Sequence, residues 1–225
     1  MTSTSTSLRI ALLLTLSNGF LDPYTYICRG GAFSTTQTAN VVFFAAGLAA
    51  GHWPAAIAKL WPILAFMVGV ALATHIRSGR LYLMKKHPLR WVMAVQALVL
   101  TVVGFVPASV SPTAVAVAVS FVAAMQMALF RSIGDLTFVA IATTGNLMRF
   151  VEQGYAGIVK RDAEGRRGFR VYALMILAFA AGAVLGATTT QVIGTRAAWL
   201  PAVFVGATLL LLLFEAPQSL PDESA

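Results

Sequence analysis

The chain has 225 residues, of which 58% are hydrophobic and 11% are charged. A soluble domain carries roughly 25% charged residues, and a chain of this size could not hide so much apolar surface from water. The composition therefore excludes a soluble globular enzyme and a disordered protein, and it predicts an integral membrane protein. The net charge of +8 is interpreted as a topology signal, and we predict no nucleic-acid partner.

Six apolar stretches are long enough to cross a bilayer, which takes roughly 20 helical residues. In chain order they are Leu8–Cys28, Ala55–His75, Trp91–Val106, Thr113–Phe130, Tyr172–Ile193 and Ala198–Phe214. Two shorter stretches, Thr38–Ala50 and Leu136–Val151, each follow a glycine-containing turn. The predicted fold is an all-α membrane domain over residues 8–214, with six transmembrane helices and two short re-entrant or broken half-helices. Residues 1–7 and the acidic tail 215–225 are predicted to be disordered.

The basic residues decide between two topologies. Loops 76–90 and 153–170 each hold five Lys or Arg residues, and cytoplasmic loops collect such residues. If both short stretches crossed the bilayer, giving eight spans, these loops would lie on opposite sides. If both re-enter instead, both loops and both termini are cytoplasmic, and only Arg29, Lys59 and Arg196 of the 16 basic residues lie outside. We prefer the second topology, in a bacterial inner membrane, because re-entrant backbone is tolerated where protein buries it.

The two short stretches resemble each other and indicate an internal repeat. The first contains Thr38-Ala-Asn40 and the second contains Thr144-Gly-Asn146, each followed by an apolar helix. Asp22 and Gln126 stand at matching distances before the two turns. A unit of three spans and one re-entrant stretch crosses the membrane an odd number of times. The second copy, residues 112–214, is therefore expected to be inverted relative to the first, residues 8–107.

Several motifs in the same order resemble a known family. They are Phe20-Leu-Asp22, Gly30-Gly31, Gln37-Thr-Ala-Asn40, Met125-Gln126 and Thr144-Gly-Asn146. Together they resemble the YoaK-like bacterial membrane proteins, a domain-of-unknown-function family, over roughly residues 8–214. The chain departs from the family pattern at Ala39, where the family usually has Gly, and at Met127, where it often has Asn. The resemblance implies an inner-membrane protein of six or seven helices and supplies no function.

Polar residues at the two corners are the candidate site. Thr and Asn side chains at a helix start accept hydrogen bonds from its free backbone N–H groups. Two such helix starts facing one cavity would favour an anion or a polar neutral solute. The predicted substrate-binding residues are Asp22, Thr38, Asn40, Gln126, Thr144, Gly145, Asn146 and Arg149.

Two of these residues have alternative interpretations. Asp22, in mid-span, is either a proton or cation coupling site or a carboxylate that caps or pairs with Arg29 and only locks the turn. Arg149 either reaches the cavity or forms a local ion pair with Glu152.

We expect a small secondary transporter or channel for a small, anionic or weakly acidic solute. The alternative is a non-transporting membrane scaffold or sensor in which the repeats serve only stability. The sequence contains no metal-ligand spacing among its His and Cys residues and no nucleophile–base set. We therefore predict no catalytic residues, no metal and no cofactor. The predicted partners are the solute and the lipid bilayer, with homo-oligomerisation left open.

Overall fold

A computed structural model describes residues 7–78, 87–130, 132–133, 136–137 and 143–214. Among the described residues the regular structure is helical except for one short antiparallel ladder, in which β1 (Ser132–Ile133) pairs with β2 (Leu136–Thr137). A π-helical turn, Tyr155–Val159, and a 3-10 turn, Gly194–Ala198, join neighbouring helices. The α-helices are α1 (Leu8–Cys28), α2 (Gln37–Ala49), α3 (Trp53–Arg77), α4 (Pro88–Phe105), α5 (Pro112–Leu129), α6 (Thr143–Gly154), α7 (Ala163–Ile193) and α8 (Trp199–Phe214).

The helices have the length and composition of a multi-pass membrane protein. Four stretches among the described residues are long and apolar enough to cross a bilayer: α3, α4, α5 and the continuous stretch Ala163–Phe214. That last stretch contains both α7 and α8, which a turn at Gly194 separates. Helix α1 has 21 residues but lies outside these four stretches, because it carries more polar residues. The helical membrane class is confirmed, and the count of six spans stays a prediction.

Most predicted helix boundaries agree with the structure within three residues. The prediction for α1 is confirmed at both ends. One boundary is wrong: α7 begins at Ala163, nine residues before the predicted Tyr172. The cause is a cap, since the Asp162 carboxylate accepts hydrogen bonds from the backbone N–H groups of Glu164 and Gly165. Predictions for residues 1–6, 79–86, 138–142 and 215–225 lie outside the described residues.

Side-chain contacts define two ends of the helix bundle. At the first, called the Arg29 end, α1 and α4 finish close together because Arg29 donates to the Val106 carbonyl oxygen. At the opposite end, called the Arg90 end, α4 begins beside the finish of α8, since Arg90 donates to the Leu212 carbonyl oxygen. Helices α1, α4 and α7 therefore run towards the Arg29 end, whereas α3, α5 and α8 run away from it.

Two glycines allow helix backbones to touch. A Cβ atom at Gly182 of α7 would lie 2.1 Å from the carbonyl oxygen of Leu16 in α1. A Cβ atom at Gly69 of α3 would lie 2.5 Å from the carbonyl oxygen of Phe121 in α5. Only glycine permits such approaches, which small residues provide in membrane helix pairs. These glycines therefore pack the chain against itself, and they make α1 with α7 and α3 with α5 the most extensive contacts.

Candidate functional site

The chain turns back on itself after α1. Gly30 and Gly31 have φ values of +84° and +65°, which side-chain-bearing residues rarely adopt. Residues 31–36 then return along α1 without regular structure, and α2 begins at Gln37. The finish of α2 lies beside the start of α3, where Gly47 contacts Ala56. Helix α2 thus starts part-way along α1 and leads back towards the Arg29 end, and we call residues 30–37 the first corner.

Asp22 holds the first corner in place. Its Oδ1 atom accepts hydrogen bonds from the backbone N–H groups of Thr35, at 2.8 Å, and Thr36, at 3.4 Å. Its Oδ2 atom accepts one from the Thr36 hydroxyl. Thr36 is the N-cap residue of α2, so a carboxylate from α1 sits at the positive end of the half-helix. These bonds agree with the interpretation in which Asp22 caps and locks the turn. Its pairing with Arg29 is wrong, because the Arg29 guanidinium donates to the Tyr24 hydroxyl and to carbonyl oxygens of residues 103–107.

The residues predicted to cap α2 do not cap it. Asn40 lies one turn inside the helix, where its Oδ1 accepts from the Phe33 N–H and its Nδ2 donates to the Phe33 carbonyl oxygen. The same Nδ2 donates to Gln37 Oε1 at 2.8 Å. Thr38 is exposed on the outer side of α2. Asn40 therefore fastens the corner to the helix, whereas the capping predicted for Thr38 is supplied by Asp22.

Arg29 is buried, with 1% of its surface exposed. Its guanidinium donates to the carbonyl oxygens of Val103, Val106 and Pro107 at the finish of α4, and to the hydroxyl of Tyr24. The last carbonyl groups of a helix have no partner within it, and a cation at that end is stabilising. Arg29 thus caps α4, and its guanidinium N–H groups donate to the protein rather than to an anionic solute.

Gln126 forms a buried pair with Gln96 of α4. The Gln96 side-chain Nε2 donates to Gln126 Oε1 at 2.8 Å, and both residues have no exposed surface. The internal repeat matches Gln126 with Asp22, but no feature of the sequence singles out Gln96. The other amide atoms of the two side chains, Gln96 Oε1 and Gln126 Nε2, have no hydrogen-bond partner in the described structure.

The second half-helix, α6, repeats part of the pattern of α2. Asn146 is buried and Thr144 is exposed, as are Asn40 and Thr38 in α2. Gly145 is half-buried and Arg149 is exposed. Helix α6 finishes beside the start of α7, where Gly154 contacts Phe169. The segment before α6, residues 138–142, lies outside the described residues.

Sequence reasoning missed one group of buried polar atoms. Neither side-chain polar atom of Asn18 has a hydrogen-bond partner within the described structure, and Asn18 has no exposed surface. The hydroxyls of Ser17, Ser34, Thr35, Ser120 and Thr190 share this property. Most buried polar groups in proteins are hydrogen-bonded, so each exception needs an explanation. A usable signal existed for Asn18, which stands four residues before Asp22 and therefore on the same helical face.

Comparison with known proteins identifies a family without an activity. The family model described as a protein of unknown function, DUF1275, matches residues 10–211. This is the YoaK family, so the resemblance seen in the sequence motifs is confirmed. No curated protein and no solved structure matches the chain.

Proposed function

This chain belongs to the DUF1275 family, whose function is unknown, and we propose that it is a small secondary transporter or channel for a small solute. Its place is the bacterial inner membrane, with residues 7 and 214 on the cytoplasmic side. The first corner is the observation that carries the proposal. A half-helix that begins inside a membrane bundle and returns to the side it came from is the kind of element that builds solute sites in transporters.

The packing of the helices supports six spans arranged as an inverted repeat. The contact of α1 with α7 has a counterpart in the contact of α5 with α3. Likewise, α2 packs on α3 as α6 packs on α7, and α1 packs on α8 as α5 packs on α4. Exchanging α1–α4 for α5–α8 therefore reproduces the contact pattern. The close approaches at Gly69 and Gly182 are equivalent under the same exchange.

The inversion directs the two half-helices towards each other. Helix α2 finishes near the start of α3, at the Arg29 end, whereas α6 finishes near the start of α7, at the Arg90 end. Their starts therefore lie deeper in the bundle than their finishes and approach the middle from opposite sides. We propose that the solute binds between these starts, with Asn40, Thr144, Gly145, Asn146, Gln126 and Arg149 around it. Asp22 and Thr38 shape the first start.

Cysteine accessibility tests the arrangement. In a Cys28→Ser background, membrane-impermeant thiol reagents are applied to intact cells and to inverted vesicles that carry one new cysteine each. If α2 re-enters, Ser7→Cys and His52→Cys react from opposite sides. If α6 re-enters, Ser109→Cys and Arg161→Cys also react from opposite sides. A pair that reacts from the same side means that the half-helix between its members crosses fully.

Reconstitution tests the function. Protein in liposomes is presented with a panel of small anions and small neutral solutes, and flux is compared with that of protein-free liposomes. We expect flux of at least one solute, and its loss in Asn146→Ala with the protein still folded by gel filtration. Flux that survives Asn146→Ala contradicts the assigned site. Folded protein that moves nothing and co-purifies with one partner favours the scaffold or sensor.

A further inference from the structure

The charged groups buried in the described structure are Asp22 and Arg29, and the chain uses both. Asp22 accepts three hydrogen bonds from the first corner. Arg29 donates to three carbonyl oxygens and one hydroxyl. The buried polar groups that remain unused in the described residues are amides and hydroxyls, all of them neutral. The buried groups left to bind a ligand in the described residues are therefore uncharged.

Asn18 is the most exceptional of the unused groups. It is the middle residue of α1, about 15 Å from either end of the helix. Its amide offers donors and an acceptor, and none of them has a partner within the described structure. Burying such a group without hydrogen bonds costs about 1–3 kcal/mol. A stabilising role within the fold therefore does not explain why an amide stands here.

The face of α1 that carries Asn18 also carries the first corner. Asp22 and Thr25 follow Asn18 by four and seven residues, which places all three on one side of the helix. The Thr25 hydroxyl accepts from the Ser34 N–H, and Asp22 accepts from the Thr35 N–H. The Ser34 hydroxyl is itself buried and unpartnered among the described residues, and the buried Thr35 side chain lies beside the Asp22 carboxylate. Polar groups without partners therefore come both from α1 and from the returning segment, residues 31–36.

We infer that this cluster, defined as Asn18, Ser34 and Thr35, binds a small neutral solute that has both hydrogen-bond donors and acceptors, such as an amide or a urea. The inference deepens the proposed function by naming the solute class. An anion offers acceptors alone and would leave the amide oxygen of Asn18 without a donor. A cation such as an ammonium or guanidinium group offers donors alone and would leave the amide N–H groups of Asn18 without an acceptor. A neutral solute can satisfy amide and hydroxyl groups together without adding charge.

The Gln96–Gln126 pair extends the same chemistry at a similar depth. Gln96 is the ninth of the 18 residues of α4, and α1 and α4 both run towards the Arg29 end. One donor and one acceptor of the pair remain unused. Both chemical roles of a neutral solute are thus available here as well. No charged side chain takes part in this pair.

Matched probes test the solute class. Acetamide and acetate have nearly the same shape and differ in charge, as do urea and guanidinium. Proteoliposomes are mixed with each probe in a stopped-flow instrument, and swelling is followed by light scattering with the protein-free rate subtracted. We expect acetamide or urea to cross faster than its charged counterpart. Faster movement of acetate or guanidinium overturns the inference and leaves the proposed function standing. Absence of movement of both neutral probes overturns the inference as well, and the proposed function then depends on the wider panel.

Two variants test the residue. Asn18→Leu keeps the number and branching of the side-chain heavy atoms and removes the amide, so we expect flux of the neutral probe to fall about tenfold, as for the loss of one or two hydrogen bonds to the solute. Thr188→Val is the control, because the Thr188 hydroxyl is exposed and bonds only within its own helix. The melting temperature of Asn18→Leu should equal or exceed that of the parent, since no hydrogen bond within the described structure is lost. Unchanged flux in Asn18→Leu, or equal loss in Thr188→Val, overturns the inference.

Discussion

The carboxylate of Asp22 and the hydroxyl of Thr36, 14 residues apart in the chain, are joined by a hydrogen bond that links α1 to the start of α2. The same carboxylate accepts the backbone N–H of Thr36. One acidic side chain thus supplies the anion that a helix start attracts. The positive end of α2 is therefore occupied by the protein, which shifts the expected preference of this corner away from an anionic solute.

Asp22→Asn should destabilise the fold. The amide keeps one oxygen for the N–H groups of Thr35 and Thr36, but it loses the charge and offers a donor group to the Thr36 hydroxyl. Hydrogen bonds to charged groups contribute about 1.5–3 kcal/mol each, so we expect the free energy of unfolding to fall by about 2 kcal/mol. Denaturation in mixed micelles measures it. Thr74→Val is the control, because its exposed hydroxyl bonds only to the Val70 carbonyl oxygen. An unchanged Asp22→Asn protein would contradict the described role.

Asn40 and Thr38, two residues apart, should behave oppositely. Asn40→Ala removes both hydrogen bonds to the Phe33 backbone. The partly buried N–H and carbonyl groups of Phe33 then lack these partners, and we expect the free energy of unfolding to fall by about 1–3 kcal/mol. Thr38→Ala alters an exposed side chain and should change stability by less than about 0.5 kcal/mol. Thermal unfolding in detergent compares the two. Equal effects would show that the loss of stability depends on the position in α2 rather than on the Phe33 contact.

Gly182 and Gly206 form a second contrasting pair. In Gly182→Ala, the new Cβ would lie 2.1 Å from the Leu16 carbonyl oxygen, so α1 and α7 must move apart at a cost of about 1–3 kcal/mol. In Gly206→Ala, nothing lies within 4 Å of the new atom, and better helix propensity should add up to about 1 kcal/mol. Melting temperatures should therefore move in opposite directions. Tolerance of alanine at Gly182 would mean that the two helices are not in this contact.

Arg29→Lys tests geometry at constant charge. A lysine cannot reproduce the planar fork that donates to Val103, Val106 and Pro107. At least one buried carbonyl group then lacks a donor, and we expect a loss of about 1–3 kcal/mol in unfolding free energy. Arg196→Lys is the matched control, since Arg196 is exposed. A lysine that stabilises α4 as well as the arginine does would indicate that charge alone is needed.

The sequence predicted the elements whose signal is local. Apolar runs located α1 at both ends and α8 to within one residue, because a bilayer demands a minimum length of apolar helix. The short stretch Thr38–Ala50 corresponds to α2, one residue earlier at each end. The charges of residues 153–170 suggested a loop, whereas Ala163–Arg170 is helical. Charged residues are compatible with a helix wherever its surface meets water.

Roles that depend on distant parts of the chain could not be predicted. The partners of Arg29 lie 74 to 78 residues further along, and no spacing rule connects an arginine to backbone carbonyl groups. The cap of α2 comes from α1, so the sequence assigned the capping of α2 to Thr38 or Asn40 and left two interpretations of Asp22 open. Asn18 could have been singled out as a polar residue at the centre of an apolar run.

The polarity of α1 has a consequence for how the protein is made. Helix α1 precedes the other described helices in the chain, yet it is outside the four described stretches that are long and apolar enough to cross a membrane. The surface that Gly182 of α7 offers to Leu16 is synthesised more than 150 residues later. Until then, α1 lacks its most extensive contact within the described fold. Insertion of the first helix therefore depends on the last third of the chain, and nascent chains that end before α7 should be substrates for membrane quality control.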